Sequence, residues 1–234
     1  MEQITTYNPN DKMALLISGD DALLQVVGCF GISLGFGDRT VSEVCLENGV
    51  HCNTFLAVVN FVADGFSSID SDYKDLSILS LVNYLRQTHV YYLDYLLPDI
   101  RSKLVRAIST SEDKVAQLII RAFDEYMYEI SKHMDYEDRT VFSYVEDLLE
   151  GRVTPHYKIK TYSKHHDLVG QRLTELKQII IKYTPKDVDN YLLTSALLDI
   201  YNCESGLEWH CKVEDYLFTP LVLDYERKIL KNEN

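Results

Sequence analysis

The chain has 234 residues, 46% of them hydrophobic, with sparse Gly (10) and Pro (5) and a formal net charge of −13. This length admits one large domain or two small ones and a core of useful size. The acidic balance excludes a duplex nucleic-acid binder, which needs Lys and Arg to replace phosphate counterions, and a protein that docks on anionic lipid.

The opening "MEQITTYNPNDKM" has no basic segment followed by an apolar one, so no secretory signal is expected. No run reaches the roughly 18 apolar residues of a membrane span. The cysteines (Cys29, Cys45, Cys52, Cys203 and Cys211) are odd in number and form no Cys-x-x-Cys. They read as reduced thiols of a cytoplasmic protein, with spacings that do not suit zinc.

The pattern predicts an all-α protein, since breakers are few and helical periods long. Residues 1–70 read as a small helical N-terminal domain. A helix is expected over Ala22 to Phe30, then a glycine-bearing turn from Gly31 to Gly37. A short helix from Thr40 to Glu47 opens on a capping-box pattern, Thr40 with Glu43 three residues on. A break at Asn48-Gly49 precedes a helix from Asn53 to about Val62. The polar stretch "ADGFSSIDSDYKD" reads as a linker.

Residues 71–234 read as four long helices. The first runs from about Ser77 to Ala107, with Pro98 expected to kink it. The second runs from about Glu112 to Glu150 and stops at Gly151. The third runs from about Tyr157 to Lys182. The fourth runs from Pro185, at its first position, to about Lys231, and Pro220 is expected to distort it late. Short connections predict an antiparallel, up-down-up-down bundle. "GFGDRT" follows a helix and not a strand, so it reads as a turn, not as a phosphate loop.

Each long helix carries one apolar stripe with steps of three and four. The stripes run Ile78, Leu81, Leu85, Tyr92, Leu96; then Val115, Ile119, Ala122, Tyr126, Ile130, Val141, Tyr144, Leu148; then Ile159, Tyr162, Val169, Leu173, Leu176, Ile180; then Leu192, Ala196, Ile200, Cys203, Leu207, Leu217, Leu221. The positions that interrupt them are His89, His133, Glu137, His166, His210 and Glu214. Four imidazoles and two carboxylates are thus aimed at the bundle interior, where unpartnered charge costs several kcal/mol. His89 and His133 sit about 20 and 24 residues from the turn joining their helices. His166 and His210 sit about 19 and 25 from theirs, so at about 1.5 Å per residue all six converge on one level. A bound cation resolves the burial. Histidine and carboxylate without thiolate suit iron, manganese or zinc, and six ligands with two carboxylates able to bridge suit a pair of metals.

His165 lies off the stripe, and His51 and His156 lie at turns, so all three are expected at the surface. Cys211 reads as a packed thiol. Tyr92, Tyr126, Tyr144 and Tyr162 lie on or near the stripes and read mainly as core residues whose hydroxyls are satisfied; each is also in reach of hydrogen-bonding a ligand.

"HCKVEDYLFTP" resembles the His-x-x-x-Glu followed by Leu-Phe-Pro of the hemerythrin-like family, and specifically of the repair-of-iron-centres proteins. "HMDYEDRTVFS" is similar but ends in Val-Phe-Ser. "KHHDLVGQRL" resembles the family's third-helix His-Asp, selecting His166 over His165, and "QTHVYYLDYLLP" resembles its first-helix histidine segment. "GISLGFGDRTVSEVC" is similar to the turn of the family's N-terminal domain, but the cysteine pair is missing there, with Gly35 and Phe36 roughly in its place. Oxygen-carrying hemerythrins resemble the chain less: they place His-x-x-x-His on the third helix, where this chain has Tyr162 and Gly170 four residues from His166.

The resemblance implies histidine end-ligands at His89, His133, His166 and His210 and bridging carboxylates at Glu137 and Glu214. It implies a cytoplasmic protein with an oxo- or hydroxo-bridged centre of two iron ions. Oxygen, nitric oxide or peroxide would be the small ligands, and iron–sulfur proteins the partners, in the nitrosative or oxidative stress response or in cluster repair. The alternatives are an oxygen or nitric oxide sensor with an N-terminal partner-docking domain, and a metal-free interaction bundle.

Overall fold

The structure is a computed structural model that describes residues 6–65, 75–109, 113–152, 157–162 and 167–232. Among these the fold is all-α, with one isolated antiparallel bridge between Lys12 and Thr40. Among the described residues no helix is long and apolar enough to cross a membrane. The chain divides into two compact units. One comprises Met1–Thr88, Leu148–Val153 and Trp209–Asn234; the other comprises His89–Asp147 and Thr154–Glu208.

The first unit opens with α1 (Met13–Gly19), α2 (Leu23–Cys29), α3 (Val41–Glu47) and α4 (Cys52–Asp64). The α1 helix is absent from the sequence expectation. The capping box is present: Thr40 Oγ1 accepts from the Glu43 amide at 3.3 Å, and Glu43 Oε2 accepts from the Thr40 amide at 2.7 Å. Asn60 clasps the backbone of Tyr7 through both its amide oxygen and its amide nitrogen, which ties the N-terminal segment to α4. Phe30 packs edge-on against Phe55 of α4 and stacks on Tyr84 of α5 (Ile78–Val90). Phe61 of α4 meets the rings of Trp209 and Tyr216 at 5.7 and 6.2 Å.

The second unit is built on α6 (Leu97–Ile108), α7 (Lys114–Tyr136), α9 (Asp167–Tyr183) and α10 (Asn190–Val213), with α8 (Ser143–Leu149) continuing the line of α7. Four helices share one apolar core. Ile100 and Leu104 come from α6, Ile119, Phe123 and Ile130 from α7, Leu173, Leu176 and Ile180 from α9, and Ala196, Ile200 and Leu207 from α10. Arg101 forks onto Asp124 at 2.5 and 3.0 Å, and Lys103 reaches Asp199 at 2.6 Å, linking α6 to α7 and α10 at the surface. Gly151 ends the second long helix with φ +76°, a conformation that glycine adopts without steric cost.

Three segments differ from the expected uninterrupted helices. Tyr91–Leu96, Glu137–Phe142 and Glu214–Phe218 are π-helical, the last leading into α11 (Thr219–Asn232). The Leu97 amide bonds the Tyr92 carbonyl and the Thr219 amide bonds the Glu214 carbonyl, each five residues back. Each wide turn inserts one residue into the stripe. Buried positions on the first helix therefore pass from His89 and Tyr92 to Leu97, Ile100 and Leu104, instead of through the expected Leu96. Pro98 and Pro220 each stand two residues beyond a π segment. A proline has no amide for the carbonyl four residues back, so the helix relaxes ahead of it in place of the expected kink.

Two helix starts are corrected. The third long helix does not begin at Tyr157: Lys158 is extended at φ −139°, Ile159–Thr161 form a 3-10 turn, and the described α-helical part runs Asp167–Tyr183. The fourth begins at Asn190, not Pro185. Asp189 caps it, accepting from the Leu192 amide at 3.0 Å, while its own amide bonds the Ala107 carbonyl at 2.8 Å. A side-chain cap that is also anchored to α6 outcompetes the backbone preference of proline.

Candidate metal centre

His89 is the penultimate residue of α5 and only 1% exposed. Its Nε2 lies 3.3 Å from Glu137 Oε2 and its Nδ1 3.2 Å from Asp138 Oδ1, while its ring stacks on Phe142. Asp138 is an acceptor only, so it draws the imidazole hydrogen to Nδ1 and leaves Nε2 to face Glu137. His133 lies one turn before Glu137 on α7, and its Nε2 is 2.9 Å from Glu137 Oε1. The Tyr162 hydroxyl donates to that same oxygen at 2.8 Å. Glu137 is fully buried. Its two oxygens therefore face two different histidines. Neighbouring ligand atoms on a metal with bonds of about 2.1 Å stand about 3 Å apart, the separation found at both oxygens.

The second His-x-x-x-Glu pair has the same internal form. His210 lies near the end of α10 and Glu214 is the first residue of the π segment that follows. His210 Nε2 is 3.4 Å from Glu214 Oε1, and Glu214 is fully buried. Thr88 Oγ1 stands 2.7 Å from His210 Nδ1 and donates to the Leu85 carbonyl at 2.6 Å.

Ligand-type atoms of His89, Glu137, His210 and Glu214 lie within 4.8 Å of one another, and all four residues are buried. Nitrogen and carboxylate donors without thiolate fit a borderline or hard divalent ion, and its charge would offset the burial of two carboxylates. His133 is half-buried beside them. His166 and its neighbour His165 lie outside the described residues, as does His156. His51 is exposed and caps α4, accepting from the Thr54 amide. Cys211 is half-buried.

Thr88, Asp138 and Phe142 were not singled out by the pattern. Thr88 and Asp138 each adjoin a stripe position in sequence, and nothing in a period of three and four predicts that they turn inward. Two of the three π segments carry a readable signal, the downstream Pro98 and Pro220. The third has Tyr144 at the corresponding position, and there the Ser143 hydroxyl bonds the Asp138 carbonyl five residues back.

No curated protein matches the chain. A family model does: the Hemerythrin HHE cation binding domain matches residues 80–222, more than half of the chain and a span that holds both His-x-x-x-Glu pairs. The chain thus belongs to the hemerythrin family of helical-bundle, cation-binding proteins.

Proposed function

We propose that this is a non-haem di-iron protein. Its end ligands are His89, His133, His166 and His210, its bridging carboxylates Glu137 and Glu214, and its centre is oxo- or hydroxo-bridged. The observation that carries the reading is Glu137, whose Oε2 faces His89 at 3.3 Å and whose Oε1 faces His133 at 2.9 Å. A carboxylate with a histidine at each oxygen is placed to span two metals. The iron pair would supply an open position for oxygen, nitric oxide or peroxide. The chain's own residues hold it, orient its histidines and exclude water from it.

In this reading residues 71–234 form the metal-binding bundle and residues 1–70 a helical domain at its N-terminus. The protein acts in the cytoplasm, in the nitrosative or oxidative stress response or in the repair of iron–sulfur clusters. A gas sensor is the second reading, favoured by one contact. Phe61 of α4 packs on Trp209, next to His210 in sequence, and on Tyr216, two residues after Glu214, so a change at those ligands has a route to an N-terminal helix.

The test is iron content and the visible spectrum of protein loaded with iron without oxygen and then exposed to air. About two irons per chain with an oxo-bridged ferric spectrum support the centre; no iron, or a single zinc, overturns it. Iron transfer to an apo iron–sulfur protein then favours repair, whereas a reversible spectral change without iron release favours sensing.

A further inference from the structure

The contacts of Thr88 determine where the hydrogen of His210 resides. A threonine hydroxyl has one hydrogen to give. The Leu85 carbonyl, 2.6 Å from Oγ1, can only accept, so the hydrogen goes there. The second contact, 2.7 Å to His210 Nδ1, is then one in which the hydroxyl accepts and Nδ1 carries the hydrogen. In a neutral imidazole the other nitrogen is left with its lone pair. That atom is Nε2, the one 3.4 Å from Glu214 Oε1.

We propose that Thr88 is a positioning residue that holds His210 in the Nδ1–H tautomer and so presents the Nε2 lone pair to the metal. This rests on the metal-centre reading above. Thr88 is 1% exposed, so no bulk water competes for its hydroxyl. Its β-branch restricts the side chain to few rotamers on the helix, and bonding to a carbonyl one turn back is an ordinary threonine habit. His89 meets the same need differently, through the carboxylate of Asp138, which is 38% exposed. Of these two end ligands, His89 is thus oriented by a half-exposed charge and His210 by a buried neutral hydroxyl.

The test uses the full chain with 15N-labelled histidine, together with ferrous-ion affinity measured by chelator competition. Thr88→Val keeps the branched shape and removes both hydrogen bonds; Thr88→Ser keeps the hydroxyl. In metal-free wild type and in Thr88→Ser, the His210 nitrogen shifts should report Nδ1–H. In Thr88→Val the fixed tautomer should be lost and ferrous affinity should fall about 10- to 100-fold, with Thr88→Ser close to wild type. Wild-type His210 in the Nε2–H form overturns the proposal without any metal or variant. So does a Thr88→Val protein that takes up iron as tightly as wild type, which leaves the metal reading intact. Wild type that takes up no ferrous iron fails the metal reading itself, and the positioning role falls with it.

Discussion

Glu137 shows how one side chain can organise a buried site. His89 faces one of its oxygens and His133 the other, which also accepts a hydrogen bond from the Tyr162 hydroxyl. The proposed end histidines differ in their surroundings: His133 is half-buried, whereas His89 and His210 are nearly inaccessible. In the proposed centre, losing an end histidine would leave a metal with a missing donor and a carboxylate without that neighbour. His133→Ala and His210→Ala are therefore each expected to remove most of the bound iron, measured as metal per folded chain. His165→Ala is expected to retain the wild-type amount, because position 165 lies off the apolar stripe. Equal loss in all three proteins would sink the ligand assignment.

At the scale of elements, the π segments are the distinguishing feature. Each begins at a proposed ligand or within two residues of one, as π turns at functional sites often do. The extra residue widens the turn that follows His89 or bears Glu137 or Glu214, and the downstream apolar residues are set in the shifted register. Deleting Tyr216, which is 41% exposed and inside the last segment, should let that turn close to an α-helix while Phe218 and Val222 stay on the stripe. The expected product is folded by circular dichroism but deficient in iron. Iron binding at the wild-type level in the deletion would show that the wide turn is dispensable for the site.

At the scale of the whole molecule, the thiols are distributed as packing residues. Burial pushes Cys29, Cys45 and Cys203 up to about 12 from an ordinary thiol value of 9.0. A thiol whose folded pKa is raised favours the folded state fully below its unfolded pKa, and that contribution is lost as pH rises toward the folded value. The protein is therefore expected to lose stability between about pH 9 and pH 12, read as a falling midpoint in urea titrations. Replacing Cys203 by Ala should flatten that decline, apart from a pH-independent cavity cost of order 1 kcal/mol. A midpoint as steep in the variant as in wild type would remove Cys203 as a contributor. The same shifts make these three thiols poor nucleophiles at neutral pH, in keeping with a structural role.

The sequence by itself determined that the protein is all-α, where most helices lie, that Thr40 and Glu43 cap α3, and that Gly151 ends the second long helix. These follow from local rules: helical periodicity, side chains that reach the nearest free amides, and the one residue type that tolerates positive φ. It also determined that His89, Glu137, His210 and Glu214 fall on buried stripes, because a period of three and four can be read across a polar position. The tertiary structure alone decided the register after each stripe crosses the site. An i to i+5 turn is rare beside the i to i+4 turn, so it persists where the packing of the shifted face holds it. It likewise decided that Asp189 and not Pro185 starts α10, since the anchor is a carbonyl on another helix. It placed Thr88 on His210 and Asp138 on His89, pairings between residues 122 and 49 positions apart that no local pattern encodes.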